Sequence, residues 1–412
     1  MKVLVVSQFF DPENFRINDL VEELNLRGNN ITVLTGLPNY PSGNFYEGYS
    51  YFSSGKSYKG TIKLVRVPVI PRFSSTKIQL AVNYVSFAIS ACLMGLLYCR
   101  EKYDVIFTYA PSPVTVAMPA IFLNFFKRIP HIIWVQDLWP EVFMAVEAPK
   151  TKIFYETVRQ MMKFIYKRSD VILIQSKDFK DSILKLGAGE EKIKYFPNWA
   201  EIFFKPIEKD IAFNQGFKLP VQDTFTIMFA GNIGAAQCFD VILKSALILK
   251  DENISWVILG DGRRRVWLEE QIKLNSLEDV MFTLGNKPVQ EMPFYYSLAD
   301  AMLVSLEPHP VFSAWIPGKI QSYLACGKPI IGLLSGAGAR VIEEGSCGYA
   351  IQSGDPEELS KKIKELSCLS EENLLSMGRM ALEYNNEVFN RDKLISELES
   401  LFKEAKSYNR RT

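Results

Sequence analysis

Short apolar runs alternate with longer amphipathic stretches through the first half of the chain. The runs "KVLVV", "NITVLT", "DVIFTYA", "HIIWVQ" and "DVILIQS" lack polar alternation, the pattern of buried strands in a parallel sheet covered on both faces. Between the first two, "FRINDLVEELNLRG" puts Ile17, Leu20, Val21, Leu24 and Leu26 near one helical face and Gly28 at the helix end. Strand, helix and strand in repetition predict a doubly wound α/β domain. The pattern restarts after residue 205 with "TIMFAGNIG", "ISWVILGDG", "VMFTLGN", "ADAMLVSL" and "PIIGLLS", a second sheet of the same class. The turn-rich "PNWAEIFFKPIEKDI" reads as the linker, and "NEVFNRDKLISELESLFKEAKS" as a polar-faced terminal helix. The expected division is a first domain over 1–203, completed by a helix at about 386–412, and a second over 204–385.

Ile78 to Cys99 is a stretch of 22 residues without a charge. As a helix it would be about 33 Å long, enough for a bilayer. Gln79, Asn83, Ser86 and Ser90 fall on one face of it, and strands of the first sheet are predicted on both sides of it. A span would leave half a sheet on each side of the membrane. A packed peripheral helix is therefore preferred, ahead of an interfacial helix that dips into the membrane and of a span. "VTVAMPAIFLNFFKR" adds aromatics and a basic end, which suits an interface as well as a core.

Composition narrows the class. The net charge of +1 hides an asymmetry: residues 1–200 carry 24 Lys/Arg against 17 Asp/Glu, and residues 201–412 carry 23 against 29. A basic first half tolerates an anionic membrane surface. Six cysteines without a CxxC read as reduced packing residues of a cytosolic protein. With His131 and His309 the only histidines and no Asp-x-Asp, no metal is expected to be required. No nucleic-acid partner is expected.

The candidate chemistry lies at strand ends. "FAGNIGAAQCF" places Gly231, Asn232 and Gly234 between a strand and a helix, where a backbone can approach a phosphate. "LGDGRRRVW" repeats this with Gly260, Gly262 and Arg263, the first of three arginines, at least two of which read as ordinary surface charges. "IPGKIQSYLACGKPI" opens a helix with Pro317, Gly318 and Lys319, so a full positive charge adds to unpaired N–H groups. Three such loops on one sheet converge on the usual ligand crevice. In the first half, "QFFDPENFRINDL", "TGLPNYP", "TYAPSP" and "VQDLWPEVF" gather Arg16, Asn39, Tyr40, Asp137, Trp139 and Glu141 at one rim. Carboxylates beside aromatics suit sugar hydroxyls, and an Asp-capped helix start at "DLWPE" is the alternative.

"AGNIG", "GDG", "IPGKIQSYLACGKPI", two Rossmann-like halves and a returning C-terminal helix resemble the retaining glycosyltransferases of family 4, of the GT-B fold with two domains facing a cleft. "NFRINDL", "TGLPNYP", "DLWPE", "FPNW" and "SYLACGKPI" are similar to a bacterial branch with transferases of L-fucosamine (N-acetyl-L-fucosamine) for O-antigen and capsule assembly. The resemblance implies a donor, usually UDP-linked, in the second domain. Its diphosphate would lie near Gly234 and Lys319, and its base near Lys287 to Val289. It implies an acceptor in the first domain, here a saccharide on a lipid diphosphate such as undecaprenyl diphosphate, met by a cytoplasmic protein peripheral to the membrane. It departs from the family where two glutamates stand eight positions apart. Ala314 and Ser322 occupy those places, leaving Ser322 as an uncharged partner for a ribose hydroxyl. Asn232 and Gln237 lie where an arginine and a lysine often follow the glycine loop, Gly318 replaces a serine, and Asp137 falls near an acceptor-side histidine. Lys319 thus becomes the principal expected cation. The lost glutamates leave open a nucleotide-sugar-binding protein without catalysis, and the fold also leaves open a sugar-nucleotide epimerase, against which the paucity of histidine counts.

Overall fold

The computed structural model describes residues 1–73, 76–112, 114–145, 151–221 and 223–409. They form two compact units, Met1–Pro197 with Asp392–Thr412, and Asn198–Arg391.

In the first unit the strands are β1 (Lys2–Val6), β2 (Asn30–Gly36), β3 (Gly55–Lys59), β4 (Ile62–Val67), β5 (Val105–Ala110), β6 (His131–Val135), β7 (Val171–Ile174) and β8 (Ile193–Tyr195). They pair in the order β3-β4-β2-β1-β5-β6-β7-β8, parallel except for the antiparallel edge strand β3. The apolar runs identified β1, β2, β5, β6 and β7. In β4, Lys63 and Arg66 interrupt the apolar run, while β3 is polar and β8 has three residues, so none of these carries a clear period. The helices of this unit used below are α1 (Arg16–Leu26), α2 (Lys77–Tyr98), α3 (Ala117–Lys127) and α4 (Lys152–Arg168). Ile17, Leu20, Val21 and Leu24 bury the inner face of α1, whereas Leu26 is exposed. Gly28 follows α1 at φ +85° with open space around it, so backbone conformation alone calls for glycine there.

The long apolar stretch is α2, capped by the Thr76 side chain and packed on β2, β4 and α3. The strands on either side of it in sequence, β4 and β5, belong to one sheet, which is incompatible with a span.

The second unit has six strands among the described residues: β9 (Phe225–Ala230), β10 (Ile254–Leu259), β11 (Met281–Gly285), β12 (Ala301–Ser305), β13 (Ile330–Leu333) and β14 (Gly348–Ile351). They are all parallel, in the order β11-β10-β9-β12-β13-β14. The short β14, "GYAI", went unanticipated because four residues carry no readable period. Phe229, Phe239 and Trp256 fill one face of this sheet, and Met228, Tyr296 and Tyr323 the other. The helices used below are α5 (Phe239–Ile248), α6 (Arg265–Leu274), α7 (Gly318–Ala325) and α8 (Glu371–Val388), with α9 (Arg391–Asn409) closing the chain.

The unit boundary falls at Pro197/Asn198 rather than 203/204. The expected linker is not solvated: Trp199 is fully buried, and Phe204 stacks on Tyr296 at 5.9 Å between centroids. The last helix starts at Arg391 rather than 386, because residues 386–388 finish α8 before buried Phe389. α9 returns to the first unit, where Asp392 and Glu399 pair with Arg27 at 3.2 and 3.5 Å and Phe402 meets Phe107.

Candidate functional site

Strand order reverses in the second unit between β9 and β12, and loops following adjacent strands diverge there to leave a crevice. The loop after β9 carries Gly231; the one after β12 leads to α7 and Lys319. Tyr323, one turn beyond Lys319, fixes their registration. Its hydroxyl accepts from the Ala230 N–H at 3.1 Å, so α7 is tied to the end of β9. Lys319 is thereby pressed against Gly231, where a Cβ would stand 2.4 Å from the lysine Cε. Gly231 has φ +143°, so conformation and space both demand glycine. Gly260, at φ +132°, lets its loop meet the first one: a Cβ there would lie 1.9 Å from the Gly231 carbonyl oxygen.

The Lys319 ammonium donates to Gln237 Oε1 at 2.6 Å and lies 3.8 Å from the centre of the Phe229 ring. It has no carboxylate partner among the described residues, and burial pulls it down from 10.5 to about 7. A dehydrated cation of this kind is a strong site for an anion. The N–H groups of Gly318 and Lys319 open α7, with Pro317 at its cap.

A cavity of about 450 Å³ adjoins this point. Of the expected donor residues, Gly231, Asn232, Gly260, Lys287 and Val289 line it. Phe204, Asn286, Met292 and Tyr296 also line it and were not anticipated, since an apolar wall is indistinguishable from core in sequence. The volume falls in the ordinary range for small-molecule sites. Gly262 stands behind Asn232, where a Cβ would be 2.7 Å from Asn232 Oδ1. Gly234 opens a 3-10 turn, Ala235–Gln237, rather than α5 itself, and that turn delivers Gln237 to Lys319.

Several expectations are corrected. Gly234, Gly262, Arg263, Pro317, Gly318, Lys319 and Ser322 are not among the residues lining the cavity. The Ser322 hydroxyl donates to the Lys319 carbonyl at 2.9 Å, within its own helix. Of the arginines, Arg264 pairs with Asp240 at 2.8 Å and stacks on Trp267, and Arg265 pairs with Glu269 at 2.9 Å. Arg263 is exposed.

In the first unit strand order reverses between β1 and β5, and the expected acceptor residues lie at the start of α1 and in the loops after β2 and β6. Tyr40 is 41% exposed, with its ring 5.5 Å from Phe9 and 5.2 Å from Phe15. The Arg72 guanidinium lies 5.1 Å over Tyr40, and its Nε and Nη2 have no hydrogen-bond partner among the described residues. Asn39 is buried instead. Its Nδ2 donates to the Leu37 carbonyl at 2.9 Å and its Oδ1 accepts from Asn83 at 3.3 Å, so it holds the loop. Sequence reasoning missed Glu13, the anchor of this region. Its Oε1 accepts the N–H groups of Asn39 and Tyr40, both at 2.8 Å, and its Oε2 that of Phe10 at 3.2 Å. Burial nevertheless pushes its carboxyl up from 4.5 to about 7.

Among the described residues Asp137 bonds back to the loop after β5 rather than to the short helix Val142–Ala145 that follows it. Its Oδ2 accepts from the Ser112 N–H at 3.0 Å and hydroxyl at 2.7 Å, and burial raises its carboxyl above the ordinary range. Desolvation by burial also lifts Tyr84 to about 12, while Arg72 pulls it down and the charges of Asp137 and Tyr40 push it up, so these groups are neighbours. The Trp139 indole N–H and Glu141 Oε2 are buried without hydrogen-bond partners among the described residues. Trp139 packs edge-on to Phe143 at 4.5 Å, and Arg16 opens α1.

Comparison with known proteins gives this geometry a family. Residues 224–368 match the family described as "Glycosyl transferases group 1", and residues 15–202 match "Glycosyltransferase Family 4". The chain is 26% identical to WbjE of Pseudomonas aeruginosa, assigned as a glycosyltransferase, over 72% of this chain and 74% of that one. It is also 26% identical to WcaI of Escherichia coli (strain K12), assigned as a colanic acid biosynthesis glycosyl transferase, over 79% and 82%. In fold it is similar to HepE of Anabaena, solved with UDP and glucose, with a TM-score of 0.69 at 16% identity over 98% of this chain and 99% of that one. With both halves matched and a two-unit Rossmann-like architecture, the chain belongs to the group 1 and family 4 glycosyltransferases of the GT-B fold.

Proposed function

We propose that this chain is a retaining, metal-independent transferase that moves a sugar from a UDP-linked donor to a saccharide carried on a lipid diphosphate. The second unit holds the donor and the first holds the acceptor. The observation that carries the reading is the Lys319 ammonium, dehydrated, bound to a neutral amide and pressed on a glycine loop at the β9/β12 reversal.

The donor's diphosphate supplies the countercharge this lysine lacks, with the Gly318 and Lys319 N–H groups beside it. As the bond to the sugar breaks, negative charge grows on the leaving phosphate and these donors stabilise it. The acceptor hydroxyl adds to the same face of the sugar, and the departing phosphate takes its proton. UDP as the nucleotude carrier is supported by the similarity to HepE, which was solved with UDP. A role in surface polysaccharide assembly is supported by the similarity to WcaI. An N-acetylated hexosamine or 6-deoxyhexosamine such as N-acetyl-L-fucosamine rests on the motif resemblance. On the acceptor side, the Tyr40, Phe9 and Phe15 rings offer a sugar platform, and the Arg72 Nε and Nη2, buried without a hydrogen-bond partner among the described residues, leave its charge for a diphosphate.

The test combines UDP binding by thermal shift with transfer assays on undecaprenyl-diphosphate-linked saccharides, with and without EDTA. The expected result is acceptor-dependent UDP release, a product with the donor's anomeric configuration, and no effect of EDTA. An inverted product or loss of turnover in EDTA would sink the mechanism. Conversion of donor without acceptor identifies an epimerase, and binding without turnover a non-catalytic protein.

A further inference from the structure

α2 is apolar on both faces: Phe87 and Ala91 are fully buried on its inner side, and its outer side faces water with an apolar stripe of its own. Its inner face holds Asn83, fully buried, whose amide receives a bond from Gln8 at 2.8 Å and donates to the Ile70 carbonyl at 2.7 Å. Ser86 donates to the Asn83 carbonyl at 2.8 Å and accepts from the Ile70 N–H at 2.9 Å. Its outer face holds Ile78, Val82, Val85, Ile89, Leu93 and Leu97, all exposed. Ile78 is 77% exposed, Ile89 57% and Leu93 59%. Spacings of 4, 3, 4, 4 and 4 put them in one stripe along a helix of about 33 Å. An ordinary surface helix shows its polar stripe and hides its apolar one, so this stripe is the signature of a surface covered by something else.

The patch continues. α3 packs on α2 and ends in Phe125, 70% exposed, and Phe126, also exposed, followed by Lys127 and Arg128. A groove of about 400 Å³ then runs to the end of α4, lined among others by Phe122, Phe125, Phe164, Lys167, Arg168 and one carboxylate, Asp170, which accepts the His131 N–H at 2.7 Å. Arg168 lies over the Phe164 ring at 5.7 Å. The three helices together contain seven Lys/Arg and one Asp/Glu, and residues 51–100 contain seven Lys/Arg and no Asp/Glu.

We propose that this face, the outer stripe of α2 with the ends of α3 and α4, docks on an anionic lipid bilayer, with α2 lying in the plane of the interface. An apolar stripe edged by phenylalanines and cations matches a membrane boundary, with acyl chains under the stripe and acidic headgroups at the lysines and arginines. A second copy of the chain would match the apolar stripe but bring like charges together, so charge favours the bilayer. The surface deepens the reading of a lipid-carried acceptor and rests on it for its purpose, but its test needs no sugar.

The full chain is floated with vesicles of phosphatidylglycerol in phosphatidylcholine, and with phosphatidylcholine alone, while its mass is measured in solution. The expected result is binding to the anionic vesicles, at least about tenfold weaker on the neutral ones or in high salt. Ile89→Asp with Leu93→Asp should abolish binding to both, and Lys167→Glu with Arg168→Glu should remove the preference for anionic lipid. All these side chains are exposed, and circular dichroism and thermal unfolding confirm that each variant is folded. No binding by the folded wild-type chain overturns the proposal. So does a dimer that Ile89→Asp with Leu93→Asp dissociates while vesicles stay unbound, because a second copy then covers the stripe. Failure of flotation bears on this surface alone, whereas inactivity toward every acceptor bears on the transferase reading alone.

Discussion

Lys319→Met should make the protein more stable and inactive at once. Methionine keeps the length of the side chain and removes the charge. In the wild type the ammonium falls from 10.5 to about 7 because burial strips its water. At 1.36 kcal/mol per pH unit, holding it charged costs the folded state up to about 5 kcal/mol, as an upper bound. Methionine removes that cost but leaves Gln237 Oε1 without its donor, which costs about 1–3 kcal/mol. The net gain is roughly 2–4 kcal/mol at pH 6. The sign follows from the direction of the shift. Below about 7 the lysine is charged both folded and unfolded, so the penalty is complete. Between about 7 and 10.5 the unfolded chain binds the extra proton, and wild-type stability rises with pH relative to the variant. Urea unfolding of both proteins at pH 6 and pH 9, followed by circular dichroism, reads the difference and its decline. Turnover should fall about a hundredfold or more, and the thermal shift with UDP should vanish. A variant less stable than wild type at pH 6, with the same pH dependence, would refute the claim that this ammonium is dehydrated and unpaired by carboxylate.

Gly231→Ala puts a methyl 2.4 Å from Lys319 Cε at φ +143°, so UDP affinity should drop at least about tenfold, measured by calorimetry, with the first unit's thermal transition unchanged. Arg72→Met should raise KM for a diphosphate-linked acceptor by about tenfold or more while leaving UDP affinity alone; equal KM values would remove Arg72 from acceptor binding. Glu13→Gln turns one acceptor oxygen toward the Phe10, Asn39 or Tyr40 N–H into a donor, and should cost about 1–3 kcal/mol in urea unfolding at pH 8. Because burial raises Glu13 to about 7, the wild type should lose stability as pH rises from 4.5 toward 7, a slope the Gln variant should lack.

The strands that could be read in sequence are those whose burial is two-sided. β1, β5, β9 and β12 lie inside their sheets, and their buried positions are mostly apolar, with Thr108, Thr226 and Ser305 as polar exceptions. β3 lies at an edge, and β4 carries Lys63 and Arg66 because one pairs with Glu101 at 2.7 Å and the other lies over the Tyr49 ring. Such exceptions depend on partners far along the chain, which no local pattern contains. The linker failed for a related reason: turn-rich composition marks a chain that bends, but Trp199 shows that a bending chain can still be packed.

The same distinction separates the parts of the site. Gly231, Gly260 and Lys319 could be found because their requirement is local, a strand that must turn and a helix that must begin. Gln237 could be noticed only as the absence of a familiar cation. Its function became visible when the 3-10 turn carried its amide to within 2.6 Å of the Lys319 ammonium, which orients the lysine without neutralising it. A carboxylate in that place would raise the lysine again and compete with a phosphate for it. A second cation would repel it. A neutral acceptor is the partner that leaves the whole charge for a ligand, so the departure from the family pattern at 237 and the reliance on Lys319 are two sides of one electrostatic arrangement. Ser322 shows the converse. Its position matched a binding residue by alignment of motifs, but a hydroxyl inside a helix has a carbonyl within reach one turn back, and takes it.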